Sequence, residues 1–122
     1  MSDEKKHHHQ PFPEDDNGDV KPASSSYTMV DPRFRAVYFQ FYKETYRPSV
    51  LDRKTKELVA IAASLAAKCQ GCLEGHIKKA IKFGATRDEI SESIAIAIGV
   101  NAAAIVDLTD IAAENTGIKL FE

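Results

Sequence analysis

The chain has 122 residues, of which 43% are hydrophobic and 28% charged, and its formal net charge is -2. A chain of this length supports one hydrophobic core, so a single domain is expected. The slightly acidic balance disfavours nucleic-acid binding, which needs a concentrated basic surface, and two cysteines are too few for a secreted disulfide scaffold.

The first residues predict a polar tail that precedes the folded domain. Ser, Asp, Glu, Lys and Pro dominate residues 1–27, so little apolar burial can offset the entropy lost on ordering. We therefore expect a disordered tail over 1–27 and a folded domain over 28–122. His7-His8-His9 is only compositional evidence for metal binding, and a polar tract without that role is the favoured interpretation.

No targeting or membrane-spanning segment is predicted. The charged N-terminus lacks the apolar stretch of a signal peptide. The longest apolar runs, 58–67 and 94–106, are shorter than the ~20 residues that span a bilayer. A soluble protein in a reducing compartment, the cytoplasm, is expected, with no membrane and no nucleic acid among its partners.

The first helix is predicted to begin at Asp31-Pro32, because Asp is a good N-cap residue and Pro fits the first helical position. Arg47-Pro48 ends it, since the residue before proline is disfavoured in the α region. Between these points an aromatic stripe occupies one face at helical spacing, formed by Phe34, Tyr38, Phe41 and Tyr42. We interpret the stripe as core or subunit interface.

A second helix is predicted from about Asp52 to Lys68. Its first turns are charged, whereas residues 58–67 are almost entirely apolar, so the later part is expected to be buried all round. Glu57 stands at this boundary. Taken alone, it is most simply a first-turn glutamate favoured by the helix dipole.

Two further helices follow. A break is predicted at Gly71 or at the preceding Lys68-Cys69 junction, which places both cysteines in the first turn of a third helix. That helix ends at Gly84, a natural left-handed cap. Three lysines near that end are expected to face solvent: Lys78, Lys79 and Lys82. Thr86 and Glu89 form a capping box for the last helix. Because no segment alternates with a period of two, the predicted fold class is all-α, a compact bundle of about four to six helices.

The residues that carry chemistry cluster in the third helix. Cys69, Cys72 and His76 are related as i, i+3 and i+7, so two thiols and an imidazole share one helix face. Only the thiolate is a good nucleophile, and a helix N-terminus, a second cysteine and an imidazole each favour it. His76 can take the thiol proton directly or through a water, and Glu57 would orient or charge-compensate His76. A sulfenic acid on one cysteine can condense with the other thiol to a disulfide, which predicts two-electron redox chemistry.

A metal site uses the same residues and stays open as an alternative. Cys69, Cys72 and His76 are zinc-type ligands. Glu57, a neighbouring subunit or a water would supply the fourth ligand.

The motif resembles the carboxymuconolactone decarboxylase superfamily, and within it the alkylhydroperoxidase D-like branch, which carries the C-x-x-C. The resemblance covers residues 31–115 and depends on Glu57, eleven intervening residues, Cys69-x-x-Cys72-x-x-x-His76, and Phe83-Gly84-Ala85-Thr86-Arg87-Asp88-Glu89-Ile90. One departure is Gly71, where the namesake of the branch has a histidine directly before the second cysteine. The full proton relay of that enzyme is therefore not implied.

The resemblance implies a thiol-dependent peroxidase or disulfide oxidoreductase that reduces hydroperoxides or small disulfides. Cys72 would be the peroxide-attacking thiolate, Cys69 the more exposed resolving thiol, His76 the proton acceptor and Glu57 its orienting partner. No cofactor is predicted. The reductant would be a dithiol protein, lipoylated or thioredoxin-like, and the assembly a homotrimer or hexamer with its site near a subunit contact. Lactone decarboxylation belongs to the branch that lacks the cysteines, so the intact C-x-x-C disfavours it.

Overall fold

The structure is a computed structural model that describes residues 27–121. It contains four helices, and the described part of the chain has no strand, which confirms the all-α prediction. The predicted tail, with His7-His8-His9, lies almost wholly outside these residues. The helices are α1 (Pro32–Tyr46), α2 (Arg53–Ala67), α3 (Gln70–Lys82) and α4 (Arg87–Thr116).

Local capping interactions fix where the helices begin, as the sequence predicted. The Asp31 carboxylate accepts a hydrogen bond from the amide of Arg33, and Asp52 caps α2 in the same way. Thr86 and Glu89 form both bonds of the capping box that starts α4. Such caps satisfy amide groups that the first helical turn leaves without partners.

α2 is the central helix, because it packs against both α3 and α4, whereas α1 packs more lightly against α2. The buried apolar residues are mostly small, so the helix axes can approach closely. They are Ala60, Ile61, Ala80 and Ala97. The Ser93 hydroxyl on α4 donates to the Leu58 carbonyl on α2 at 2.6 Å, which ties these two helices together.

The expectation that α2 is buried all round is wrong. Ala60, Ile61 and Ser64 are buried, whereas Val59 is 57% exposed and Ala63 is also exposed. The reason is that α3 and α4 cover one side of α2, and the light contact with α1 leaves the other side open.

The aromatic stripe of α1 is not part of the core of this chain. α1 has no buried residue, and Phe34 and Phe41 are 61% and 66% exposed. Core was therefore the wrong interpretation, because little of the chain lies over this face of α1. The second interpretation, a subunit interface, stays a prediction.

Lys79 was expected to face solvent, but it is buried. Its ammonium group donates a hydrogen bond to the Tyr42 hydroxyl at 2.9 Å and lies 5.2 Å from the centre of that ring. The position of Lys79 on α3 turns it toward α1, and helix periodicity alone does not reveal which neighbour a face meets.

α4 is long and apolar enough to cross a membrane, by length and composition alone. The expectation that no segment reaches that length is wrong, because it counted uninterrupted apolar runs. A helix tolerates isolated polar residues such as Asn101, whose amide donates to the Ala97 carbonyl within the same helix. One such helix is weak evidence for a membrane protein, since a core helix of a soluble protein passes the same test. Only 6% of the apolar window of α4 is buried, however, so α4 is not such a core helix within the described residues.

Candidate active site

The two cysteines lie at the start of α3. Lys68 adopts the left-handed conformation (φ 57°), which ends α2 and lets α3 begin at Gln70, two residues before Cys72. Cys69 is the N-cap residue, and its sulfur accepts a hydrogen bond from the Cys72 amide at 3.3 Å. The two sulfurs form a disulfide. The pair is thus in its oxidised state, at the positive end of the α3 dipole.

Glu57 and His76 form the buried centre of the site. Nδ1 of His76 lies 2.6 Å from Oε1 of Glu57, and the two residues are 5% and 0% exposed. Burial alone would raise the pKa of Glu57, but hydrogen bonds from His76 and Arg53 outweigh it and lower the pKa. The ionised carboxylate accepts, so Nδ1 carries a proton and Nε2 points away from Glu57.

Arg53 holds the other oxygen of this carboxylate. Its Nε donates to Oε2 of Glu57 at 2.8 Å, and the residue is buried. The guanidinium also lies over the ring of Phe83, 4.5 Å from its centre. Sequence reasoning missed Arg53 by treating it as one of several charged first-turn residues. The i, i+4 spacing from Glu57, which favours ion pairs on a helix, could have identified it.

Tyr46 contacts the opposite nitrogen of His76. Its hydroxyl lies 3.4 Å from Nε2, and its ring stacks on the imidazole with centres 5.2 Å apart. Burial, followed by the nearby charge of Glu57, raises the pKa of Tyr46 to about 12, so the phenol stays protonated at neutral pH. Sequence reasoning missed this residue too, although it continues the aromatic spacing of α1 one turn beyond Tyr42.

A cavity of about 270 Å³ opens onto this site. Both cysteines and His76 line it. α1 contributes mainly aromatic side chains to the rest of the wall, namely Tyr38, Phe41, Tyr42 and Tyr46. α2 contributes small side chains, among them Ala60, Ala63 and Ala67. A mostly apolar cavity with a few converging polar groups is the usual form of a small-molecule site. A larger groove, formed by the end of α4 and residues 118–121, contains none of these groups.

The structure therefore brings the four predicted residues together. Cys69, Cys72 and His76 line one cavity, and Glu57 lies directly behind the imidazole. Their catalytic roles stay predictions. Both cysteines are partly buried, so the expectation that Cys69 is the more exposed of the two stays a prediction. Within residues 27–121, no three His, Cys, Asp or Glu side chains are arranged to hold a metal ion.

Comparison with known proteins identifies the family to which the site geometry and the fold belong. Residues 32–114 match the Carboxymuconolactone decarboxylase family. A Paracoccus denitrificans protein, called uncharacterized protein 4 in the cox locus, is 39% identical over 87 residues, which cover 71% of this chain and 72% of that protein.

Solved structures agree with this match. A carboxymuconolactone decarboxylase family protein from Thermotoga maritima, for which a part in an antioxidative response has been suggested, is 27% identical. Its TM-score is 0.53, and the match covers 72% of this chain and 99% of that chain. A family member from Legionella pneumophila, solved in its apo form, is 32% identical over 57% of this chain and 62% of that chain, with a TM-score of 0.54.

Proposed function

The chain belongs to the carboxymuconolactone decarboxylase family, and we propose that it is a thiol-dependent peroxidase or disulfide oxidoreductase that uses Cys69 and Cys72. One observation carries this proposal. The disulfide lines the same cavity as His76, and Glu57 fixes the orientation of that imidazole from behind. Two sulfurs that already form a disulfide beside an oriented base are suited to reversible oxidation at sulfur.

The reduced pair would react with a hydroperoxide in two steps. His76 takes the proton of the Cys72 thiol, and the thiolate attacks the terminal oxygen of the hydroperoxide. The O–O bond breaks, a sulfenic acid forms on Cys72, and the released alkoxide takes a proton to give an alcohol. The Cys69 thiol then attacks the sulfenic sulfur, water leaves, and the disulfide forms. A dithiol partner reduces the disulfide and is itself oxidised to a disulfide.

The environment of Cys69 suits the resolving role. Its sulfur lies at the N-cap of α3 and accepts the Cys72 amide, so a thiolate at this position is stabilised by the helix terminus. A stabilised thiolate is also a good leaving group when the partner dithiol reduces the disulfide. Cys72, one turn into the helix, is the sulfur to which we assign the attack on peroxide.

The cavity favours a substrate with a compact apolar body. Its wall consists largely of tyrosine, phenylalanine and alanine side chains, and its volume is about 270 Å³. We propose an organic hydroperoxide as the oxidant, with a small disulfide as the alternative substrate. The proposed reductant is a lipoylated or thioredoxin-like protein of the cytoplasm, since a reducing compartment keeps the pair in the thiol form between turnovers.

We propose that the working protein is a homo-oligomer, a trimer or hexamer, in which second copies cover α1 and α4. Large exposed apolar patches on a globular chain are typical of interfaces. On α4 these side chains include Ile98, Val100, Ile105, Leu108 and Ile111. Light scattering without detergent tests this assembly. A monomer, or a protein that stays in solution only with detergent, would contradict it.

The function is tested with the reduced, metal-free protein and one equivalent of cumene hydroperoxide. We expect rapid loss of both thiols and a mass decrease of about two hydrogens, the signature of a disulfide formed through a sulfenic acid. Cys69→Ser should instead stop at a sulfenic acid on Cys72, which adds about one oxygen in mass. Cys72→Ser should not react. Unreactive thiols together with stoichiometric zinc in the purified protein would support the metal site instead.

A further inference from the structure

The proposed reaction needs a proton donor as well as a base. When the O–O bond breaks, the departing alkoxide must be protonated, and the proton taken from Cys72 must leave His76 before the next turnover. His76 is itself buried, with Nδ1 held by Glu57 at 2.6 Å. The imidazole therefore gains and loses its catalytic proton at Nε2, which lies 3.4 Å from the Tyr46 hydroxyl.

Tyr46 lies where such a relay is needed. It lines the cavity that contains both cysteines, and its ring stacks on the imidazole, which fixes the hydroxyl close to Nε2. A phenol has one donor and can accept at the same time. The 3.4 Å separation is long for a hydrogen bond, as is common before a substrate binds, and it leaves the hydroxyl free to turn toward the cavity.

Three other hydroxyls on the cavity wall already have partners. The Tyr42 hydroxyl accepts from the Lys79 ammonium at 2.9 Å, and two more donate to the backbone. Thr45 donates to the carbonyl of Phe41 at 2.7 Å, and Ser64 donates to the carbonyl of Ala60 at 2.7 Å. These protons are held within their own helices. Tyr46 differs because its hydroxyl faces an imidazole nitrogen rather than a carbonyl oxygen.

We propose that the Tyr46 hydroxyl relays the proton from Nε2 of His76 to the leaving oxygen of the hydroperoxide. This inference rests on the proposed peroxidase function. In the step, the hydroxyl accepts the Nε2 proton while its own proton passes to the alkoxide, so the alcohol leaves and the phenol is regenerated. A free tyrosinate is never formed, which matters because burial makes that anion costly.

The test compares Tyr46→Phe with the wild-type protein and with Tyr27→Phe, a matched loss of a hydroxyl outside the cavity. Stopped-flow oxidation of the reduced proteins is measured with cumene hydroperoxide and with peracetic acid. Alkoxide is a poor leaving group without a proton, whereas acetate leaves as a stable anion. We expect Tyr46→Phe to slow the first reaction about 100-fold, within the usual range for general acid catalysis, and the second less than about twofold.

Several outcomes would overturn the relay. Equal losses with both oxidants would mean that Tyr46 only supports the structure, and no loss would mean that it does not participate. A wild-type protein that reacts with neither oxidant removes the proposed function and this relay together. If Tyr46→Phe does not fold, the relay is tested instead by the solvent deuterium isotope effect on the oxidation rate of the wild-type protein. The relay requires a larger isotope effect with cumene hydroperoxide than with peracetic acid, and equal isotope effects would overturn it.

Discussion

Glu57→Gln removes one buried negative charge with almost no change in shape. Glu57 is fully buried and Arg53 is 8% exposed, so water does not screen their 2.8 Å ion pair. Removing one member of a buried pair costs about 3–5 kcal/mol, because the remaining charge is left without its partner. The Gln oxygen still accepts one hydrogen bond and Arg53 keeps its contact with Phe83. We therefore expect a loss of about 2–3 kcal/mol, which lowers the melting temperature by roughly 10–20 °C.

Urea unfolding at a fixed protein concentration measures this loss, since the stability of an oligomer depends on concentration. The matched control is Glu74→Gln, which removes the same charge from an exposed residue that is bonded to Gln70. It should change the free energy of unfolding by less than about 0.5 kcal/mol. Combining Glu57→Gln with Arg53→Met should recover part of the loss, because the orphaned charge is then absent. Equal effects of Glu57→Gln and the control would refute the reasoning.

Three further predictions concern charge and packing. The pKa of Glu57 in the folded state lies below its ordinary value of 4.5, so its stabilisation is present above about pH 4.5 and is lost as the pH falls further. Acid titration should therefore destabilise the wild-type protein more steeply than Glu57→Gln. Lys79→Ala should lower the free energy of unfolding by about 1–3 kcal/mol, because it removes buried packing and the donor to Tyr42. The control is Lys78→Ala, at an exposed position. It should change the free energy of unfolding by less than about 0.5 kcal/mol in the same urea assay. Leu108→Glu should reduce the mass measured by light scattering, and an unchanged mass would contradict an interface on α4.

The helix boundaries were predictable because their signals are local. Asp31, Asp52 and Thr86 each cap a helix through bonds to amides two or three residues away, so neighbouring residues determine the outcome. Burial was less predictable. The open side of α2 and the buried ammonium of Lys79 depend on which helix covers which face. Periodicity defines a face but does not identify its partner.

The site residues also divide into those with a local sequence signal and those that only long-range packing brings into place. Cys69, Cys72 and His76 share one helix, so their spacing predicted their common face, and the family spacing added Glu57. Tyr46 lies 30 residues before His76 on another helix, and no local pattern connects the two. The packing of α1 on the rest of the chain, which brings them together, is a long-range property that one sequence does not reveal.

The contacts of His76 differ in a way that fits a base with two tasks. On the Nδ1 side, Glu57 lies at 2.6 Å and is held in turn by Arg53, both buried, so the imidazole cannot turn away from the cavity. On the Nε2 side, the 3.4 Å contact belongs to Tyr46, at the end of a helix that has no buried residue. The rigid side keeps the proton acceptor in place. The looser side allows a proton to pass, because the hydroxyl has to turn until it can accept from Nε2 and donate into the cavity at the same time. If second copies cover α1, as we propose, assembly would also set how freely Tyr46 moves.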